Sequence, residues 1–473
     1  MIEIQIAGAG GGKTYGMAQK IIKHHDPESH KTIYAITYTN AAAKNISDTI
    51  IEQFGFLPEN IKVCTVHTFL LNEIIYPYSP FVLGEVFTTS SRYRLYSSFP
   101  AGKSADKILF ESKRTISRLK GIGIIHVDEV YNAAWRVVDE SYSAHSSQRK
   151  KLKVRKVLKL LSSSIEKIFL DEAQDLDAKA LRAFQEIGDK AVDIYMVGDP
   201  KQAIKYPKAF KTWIKDNHHL TLLPNITTSR RVPQNILYLS NKFCPRGQEQ
   251  TSLSDIEGRL SYITSNDKQY DVVINHHIQH GNLVSIYQKT GKYSTNSVDS
   301  KPEFDPEIEK ILIDQYKDFD EKLIVGAAQR WFAKVLADHG STKAIKMFWK
   351  NFGIEYDKEI YKNLCRTVES YVSSKENSSK YCVSSITKTK GLESEVCILV
   401  LTPGIYKCLM QKKGVTKYNK TWNMVYVALT RALSELVVAV DMKLLDKEFV
   451  LEEVVNDLKT LEFEPYQLDG GVL

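Results

Sequence analysis

IEIQI, residues Ile2–Ile6, runs directly into AGAGGGKT, residues Ala7–Thr14. The alternating apolar residues predict a β-strand, and the glycines predict a loop whose backbone N–H groups converge on phosphate oxygens. A helix expected from about Tyr15 would point the positive end of its dipole at the same anion. The stretch therefore predicts an α/β fold that binds a nucleoside triphosphate with Mg²⁺, and a glycine-rich turn without a ligand is the alternative.

Each residue of this loop has a predicted task. Lys13 would reach the β- and γ-phosphates, and the Thr14 hydroxyl would bind Mg²⁺. The residues expected to hold the phosphates are Gly8, Ala9, Gly10, Gly11, Gly12, Lys13 and Thr14.

The composition is that of a globular protein with several domains. The chain has 473 residues, 43% hydrophobic and 25% charged, with a formal net charge of +8. This mild basic excess favours an acidic partner such as nucleic acid, although an ordinary surface explains it equally simply. No apolar run reaches the length of a membrane span, and the six cysteines form no C-x-x-C pair. We therefore predict a cytoplasmic protein with reduced core thiols and no membrane partner.

Apolar strands recur along the chain in the pattern of parallel sheets. Helix formers from about Ile74 to Ser164, with the basic block Arg149–Lys156, predict a helical insertion between them. The polar stretch Thr290–Pro306 predicts a linker, and a second helical segment follows it to about Ser374. The predicted strands after the first are Ile33–Ile36, Lys62–Thr65, Ile168–Leu170, Ile194–Val197, Leu283–Tyr287, Val396–Leu401 and Leu436–Val440.

Adjacent carboxylates follow one of these strands in IFLDEAQD, residues Ile168–Asp175. Asp171 at the strand end is predicted to hold the Mg²⁺ shell, and Glu172 to act as the general base that polarises the attacking water. A lone Asp-Glu pair is often a solvated acidic turn. The phosphate loop upstream favours the catalytic interpretation here.

In this order the motifs resemble superfamily 1 DNA helicases of the UvrD/Rep/PcrA kind, whose phosphate loop also tolerates alanine at the position of Ala7. The resemblance implies two RecA-like P-loop domains with parallel sheets, a helical insertion in the first and a reduced helical insertion in the second. The other blocks that carry it are Thr37–Ala43, Thr65–Phe69, Asp171–Asp175, Val197–Ile204, Ser229–Val232, Lys388–Glu393 and Tyr426–Ala432.

The resemblance also implies domain boundaries. The first motor domain is expected at residues 1–75 and 165–231, with its insertion at 76–164. The second is expected at residues 232–305 and 375–473, with its insertion at 306–374. In the family this second insertion touches duplex DNA, so its reduction weakens the case for an autonomous processive helicase.

Single residues receive roles from the same resemblance. Gln202 is expected to sense the γ-phosphate, Glu393 to contact the nucleotide ribose, and Arg231 and Arg431 to be the two arginine fingers. Because Arg431 comes from the other half, the site would be complete only when the halves close on ATP.

The expected single-strand groove draws on the ends of two strands. The family's aromatic-rich run after Gln202 is absent, so Tyr206 or Phe210 would be the base-stacking aromatic. Core packing of the aromatic residues is the alternative. The residues predicted to contact DNA are Tyr38, Thr39, Asn40, Thr65, His67 and Tyr206.

Three departures from the family concern the base of the nucleotide and the grip on the strand. The chain begins inside its first strand, where the family has an adenine-reading segment; Arg230 replaces the tyrosine that stacks on the base, and Thr387 replaces a histidine. The choice among nucleoside triphosphates therefore stays open.

Two functions of different classes follow. The first is a Mg²⁺-dependent, DNA-stimulated nucleoside triphosphatase that translocates 3′ to 5′ on single-stranded or partly duplex DNA, in anti-phage defence or DNA repair. The second is a nucleic-acid-sensing ATPase switch that regulates a partner nuclease, since compact chains of this layout resemble the helicase-like subunit of Gabija two-protein anti-phage systems. A GTPase or kinase is disfavoured because the chain lacks an N-K-x-D signature.

The basic block Arg149–Lys156 would track phosphates or form a solvated helix face.

Overall fold

The computed structural model describes residues 1–91, 104–142, 147–288, 290, 292–295, 301–375, 381–445 and 448–467. Its strands are β1 (Ile2–Ile6), β2 (Thr32–Thr37), β3 (Ile61–Thr65), β4 (Thr89–Ser91), β5 (Ile124–His126), β6 (Ile165–Leu170), β7 (Asp193–Gly198), β8 (Thr221–Leu222), β9 (Thr228–Ser229), β10 (Thr251–Ser252), β11 (Arg259–Thr264), β12 (Leu283–Ile286), β13 (Tyr293–Ser294), β14 (Tyr381–Cys382), β15 (Ser384–Ser385), β16 (Ser394–Val400), β17 (Ala432–Val440) and β18 (Glu464–Pro465).

Its helices are α1 (Lys13–His24), α2 (Asn40–Phe54), α3 (Val66–Phe69), α4 (Tyr76–Val82), α5 (Ala105–Gly121), α6 (Val130–Val138), α7 (Gln148–Ser164), α8 (Ala178–Lys190), α9 (Ala209–Asp216), α10 (Gln234–Asn241), α11 (Tyr270–Gln279), α12 (Pro306–Gln315), α13 (Glu321–His339), α14 (Ser341–Phe352), α15 (Lys358–Lys375), α16 (Pro403–Leu409), α17 (Lys420–Leu429), α18 (Met442–Leu445) and α19 (Leu451–Thr460). A π-helical turn, Leu70–Ile75, connects α3 to α4.

Two parallel sheets dominate the described part of the chain. The first has the strand order β3-β2-β6-β7-β1-β8, and the second has the order β15-β12-β16-β17-β11-β18. Every pairing between neighbouring strands in both sheets is parallel. The prediction of an α/β fold with two parallel sheets is therefore confirmed.

Parallel strands need both faces covered, and the buried side chains show how the first sheet achieves this. Ile33, Ala35 and Phe169 of the sheet pack against Met17 of α1 and Ile50 of α2. Ile33 and Ala35 lie at alternate positions of β2, so their side chains point to the same face of the sheet, and that face packs against the two helices. This packing fixes the start of α1 against the sheet edge that carries the phosphate loop.

Contacts divide the chain into two compact units. One unit contains both sheets and consists of Met1–Leu70, Ala134–Thr295 and Ser379–Leu473. The other consists of Leu71–Ala133 and Asn296–Ser378, so two segments far apart in sequence build it together. The four-domain boundaries implied by the motifs stay a prediction, and α7, expected in the first insertion, lies in the unit of the two sheets.

The second unit has its own apolar core and its own ionic tie. Phe304, Phe332 and Phe348 are buried in one cluster with residues of α12–α15. Arg118 of α5 lies 3.2 Å from Glu307 and 3.3 Å from Glu359. This arginine therefore links the earlier segment of the unit to the later one.

Some predictions about the chain between the motifs are wrong. The predicted linker Thr290–Pro306 includes β13, which pairs with β14, and Tyr293 is buried. A two-residue strand is too short to leave a period in the sequence, which explains the miss. All six cysteines are free as predicted, but only Cys397 and Cys408 are buried. Across the described ranges, we find no helix with the length and apolar character to cross a membrane.

Candidate active site

The carboxyl ends of the first sheet's strands gather the predicted site residues at one edge. The phosphate loop follows β1, Asp171 follows β6, and Asp199 follows β7. Because β6, β7 and β1 are neighbours in the sheet, these groups lie side by side. We call residues 1–70 and 134–231 the first half, and residues 232–295 and 379–473 the second half. The second half carries the second sheet.

The phosphate loop depends on glycine at two turns. Gly10 and Gly12 have φ angles of 68° and 71°, which other residues adopt only with strain. A side chain at Gly10 would also lie within 2.4 Å of the Ser229 hydroxyl. Helix α1 begins at Lys13, and the Lys13 ammonium lies 3.2 Å from the Gly8 carbonyl oxygen. The loop thus holds a cation and a helix N-terminus at one point, as anion binding requires.

Thr14 and Asp171 form the predicted metal pair. The Thr14 hydroxyl donates to the Asp171 carboxylate at 2.8 Å, and Asp171 is buried. Burial and the neighbouring Glu172 raise the pKa of Asp171 above its ordinary range, while Lys13 lowers it. Among the described residues no cluster of three or more His, Cys, Asp or Glu could hold a metal alone. This set fits Mg²⁺, which takes one or two protein oxygens and completes its shell with phosphates and water.

Glu172, the predicted general base, sits in a strained backbone conformation. Its φ of 56° is in the left-handed region, which costs about 1–3 kcal/mol and occurs often at active sites. The Gln174 amide donates a hydrogen bond to its carboxylate. Burial would raise the pKa of Glu172, but Lys390 and Lys13 together lower it below its ordinary value. The carboxylate is therefore ionised, as a base must be.

Lys390 is a site residue that sequence reasoning missed. Its ammonium lies 3.7 Å from Glu172 and forms a close ion pair with Asp175. The two carboxylates raise the pKa of Lys390 although burial alone would lower it. Lys390 stands in the KTKGLE block, which is the sequence signal that points to it. This lysine is the cation by which the second half neutralises the acidic turn of the first.

The two predicted arginine fingers lie close together and are already engaged. Arg231 forms an ion pair at 2.7 Å with Glu393, and Glu393 is the residue expected to contact the ribose. The buried Arg231 Nε has no hydrogen-bond partner within the described residues. Arg431 is buried and donates to the Val427 carbonyl at 3.0 Å. Burial and nearby Arg231 lower the pKa of Arg431 to about 10.

Gln202 lies on a short helical turn after β7 and bonds to Asp199. Its amide donates to the Asp199 carboxylate at 3.0 Å. The backbone N–H of Asp199 in turn donates to the Gln174 side chain at 2.9 Å, and Gln174 holds Glu172. The predicted γ-phosphate sensor and the predicted base are therefore joined through Gln174 and Asp199.

Five of the six residues predicted to contact DNA lie at or just after the ends of β2 and β3, farther along the same sheet edge, and Tyr206 follows the helical turn after β7. The Thr39 hydroxyl accepts from the Ala42 N–H and caps α2, and the Thr65 hydroxyl caps α3. Burial raises the pKa of Tyr38, while the adjacent Lys205 charge lowers it. Of the other three predicted DNA contacts, Asn40 is exposed, and His67 and Tyr206 are half-buried. Their contact with DNA stays a prediction.

Comparison with known proteins gives one family and one curated relative. Residues 2–208 match a family described as an AAA domain. Gabija protein GajB from Bacillus cereus (strain VD045) is 26% identical over 254 residues, which cover 50% of this chain and 45% of the relative. The aligned stretch thus spans less than half of that relative. These matches confirm the resemblance to a compact UvrD-like helicase that the motifs indicate.

Solved structures give a weaker likeness. The helicase nonstructural protein 10 of an arterivirus, alone and with DNA, aligns with 97% of this chain and 62% of its own length. The TM-scores are 0.38 and 0.37, with 12% and 11% identity. A likeness of this size carries no argument about function.

Proposed function

We propose that this chain is a Mg²⁺-dependent nucleoside triphosphatase that single-stranded DNA stimulates, and that it translocates 3′ to 5′ along that strand. One observation carries the proposal: Lys390 of the second half is inserted between Glu172 and Asp175 of the first. An ionised base at the phosphate loop therefore depends on a cation from the opposite half. This dependence is what a motor needs, because hydrolysis then follows the relative position of the halves.

Bound Mg²⁺–triphosphate would supply the scissile phosphoanhydride and a cation that neutralises its charge. Lys13 and the loop N–H groups would bind the phosphates, and Glu172 would accept the proton of the attacking water. Arg231 would exchange Glu393 for a phosphate oxygen, using the donor capacity of its unpaired Nε. Arg431 would add a second positive charge to the transition state.

The position of Asp175 supports coupling to DNA. Asp175 pairs with Lys390, and its charge acts on Tyr38 together with that of Lys205. A strand stacked on Tyr38 or Tyr206 would therefore change the surroundings of the ion pair that keeps Glu172 ionised.

The test is phosphate release with and without single-stranded DNA, with and without Mg²⁺, using ATP and GTP in parallel. We expect stimulation by DNA and loss of activity on chelation. A chain that hydrolyses triphosphate equally with and without DNA would contradict the proposal. Comparable rates for ATP and GTP would support relaxed base selectivity, to which exposed Arg230 beside the loop points.

The second candidate is an ATPase switch that regulates a partner nuclease. The similarity to Gabija protein GajB favours it, and so does the limited second insertion of helices α12–α15. A strand-displacement assay, with and without proteins that co-purify with the native chain, separates the two. Unwinding by the chain alone supports the motor, and DNA-dependent hydrolysis without unwinding supports the switch.

A further inference from the structure

Two side chains of the second half bond to the backbone of Ala9 in the phosphate loop. The N–H of Ala9 donates to the Tyr426 hydroxyl at 3.3 Å. The carbonyl oxygen of Ala9 accepts from the Gln250 amide at 3.0 Å. Both polar groups of this loop residue are therefore satisfied from outside the first half. Gln250 belongs to none of the blocks that the motifs identify.

The space around this contact is closed. Gln250 is 6% exposed and Tyr426 is fully buried. Asn241 holds the backbone of Gln250 on both sides, at 2.9 Å to its N–H and 2.8 Å to its carbonyl oxygen. A Cβ at Gly8 would lie 2.1 Å from the amide carbon of Gln250. The amide thus fills the position that a side chain at Gly8 would need.

The Tyr426 hydroxyl has one proton and two acceptors. The acceptors are the Gln250 side-chain oxygen at 3.1 Å and the Asp199 carboxylate at 3.3 Å. Burial and the charge of Asp199 raise the pKa of Tyr426 well above its ordinary value, so the hydroxyl keeps its proton. Burial would also raise the pKa of Asp199, but Lys201 and Lys13 hold it below its ordinary value. A charged and a neutral acceptor therefore compete for one proton.

The same oxygen of Asp199 also accepts from Gln202. The Gln202 amide lies 3.0 Å from Asp199 Oδ2, the atom that Tyr426 reaches. When Gln202 turns toward another partner, Asp199 loses a donor and becomes the stronger acceptor for the Tyr426 proton. The hydrogen bond from Tyr426 to the Gln250 side-chain oxygen then breaks. The Gln250 amide, which donates to the Ala9 carbonyl oxygen, is left less firmly positioned.

Helix α17, which carries Tyr426, also bonds to the turn that carries Gln202. Asn423 lies one turn before Tyr426 and donates to the Ala203 carbonyl oxygen at 2.7 Å, directly after Gln202. Every residue from Trp422 to Leu429 is buried. The helix therefore contacts the turn that carries Gln202 and the phosphate loop at the same time.

We propose that Tyr426 and Gln250 are positioning residues that relay the state of Gln202 to the phosphate loop through the backbone N–H and carbonyl oxygen of Ala9. This inference rests on the proposed triphosphatase function, and it is separate from the action of the arginine fingers. It concerns how the loop is shaped, since neither side chain needs to touch the nucleotide.

The test compares Tyr426→Phe, Gln250→Leu and the double variant. We measure kcat and KM for Mg²⁺–ATP, the Kd of a fluorescent ATP analogue, and thermal unfolding. Each single variant should lower kcat about tenfold, as expected for one lost hydrogen bond, while Kd changes less. The double variant should fall no further than the lower single one, because both act through one relay.

A third variant reaches the same contact from the other side. In Gly8→Ala the new methyl group displaces the Gln250 amide without changing Gln250 itself. Its kcat should fall, and Gln250→Ala added to it should cause no further loss. This pair keeps the inference testable if Tyr426→Phe does not fold. Glu249→Gln, an exposed neighbour, is the matched control and should behave like the unmodified chain.

The outcomes separate the inference from the function on which it rests. If the unmodified chain hydrolyses no triphosphate, the proposed function fails. If it hydrolyses triphosphate and the single variants match it, the inference alone fails. Losses that multiply in the double variant would also overturn the relay, because they would show two independent effects.

Discussion

At the carboxyl edge of the first sheet the predicted site residues are mostly acidic, whereas the second half brings mostly cations to the same place. Asp171, Glu172 and Asp199 follow strands β6 and β7 of the first half. Lys390 and Arg431 come from the second half, where Lys390 lies shortly before β16 and Arg431 directly before β17. Asp171, Asp199 and Arg431 are buried, and Glu172 and Lys390 are partly buried. Buried charges are stable only when they are paired.

The difference indicates that each half is electrostatically incomplete without the other. The first half holds Lys13 as a cation against its carboxylates, and Lys390 supplies a further cation at Glu172. Separating the halves would leave Glu172 and Asp175 without Lys390. Substitutions on each side of the site test this complementarity.

Lys13→Ala removes the cation that the first half itself provides. We expect triphosphate hydrolysis to fall by more than about 10²-fold, because the loop loses its charge on the β- and γ-phosphates. Phosphate release measures the effect. Lys23→Ala, at an exposed position of the same helix, is the control and should hydrolyse normally. Full activity in Lys13→Ala would contradict the predicted phosphate site.

Arg431→Ala removes a buried cation of the second half. Hydrolysis should slow by about 10²-fold, while the Kd of a fluorescent nucleotide changes little, because the charge is needed chiefly in the transition state. Single-turnover kinetics and equilibrium titration separate the two quantities. Arg246→Ala, at an exposed arginine of the same half, controls for loss of charge alone. If nucleotide affinity falls by the same factor as the hydrolysis rate, Arg431 acts in binding the nucleotide and not in stabilising the transition state.

Lys390→Ala tests through pH whether the second half keeps the carboxylates of the first half ionised. Lys390 lowers the pKa values of Glu172 and Asp175, so its removal raises both. A base with a raised pKa is protonated at higher pH. Hydrolysis should therefore fall most at acidic pH and recover as the pH increases.

The measurement is the pH profile of kcat, with exposed Lys388→Ala as the control from the same block. An acid limb that does not move toward higher pH in Lys390→Ala would show that Lys390 does not keep Glu172 ionised.

The basic block on α7 should have the smallest effect. On this helix Val154, Val157 and Leu158 are buried, while Arg149 and Lys156 of the block are exposed. Replacing these two cations with alanine should make the salt dependence of DNA binding less steep, by roughly 0.7 per lost phosphate contact. Binding titrations across salt concentrations measure this slope, with Gln148→Ala as the control. An unchanged slope would identify the block as a solvated helix face.

The sequence predicted the first half better than the second for a physical reason. In a parallel sheet, functional groups come directly after apolar strands, so IEIQI and IFL indicate both the element and the site. The loop, Thr14, Asp171 and Glu172 were all found in this way, and Thr14 does pair with Asp171. Their catalytic and metal-binding roles stay predictions.

The second half leaves fewer local signals. Gln250 acts on Ala9 across 241 positions of sequence, and its neighbours are polar residues typical of a surface loop. Strand β11 was missed because its Arg259 and Ser261 interrupt the apolar run. Thr39 and Thr65 show the reverse problem, since one hydroxyl pattern fits both a helix cap and a phosphate contact.

The unit built from Leu71–Ala133 and Asn296–Ser378 has a consequence for synthesis on the ribosome. Arg118 emerges long before Glu307 and Glu359, the carboxylates that it pairs with. Strands β6–β13 are translated between the two segments, so Arg118 can meet these carboxylates only after the later segment has been synthesised. Translation speed between residues 133 and 296 therefore sets how long α5 is open to chaperones and proteases.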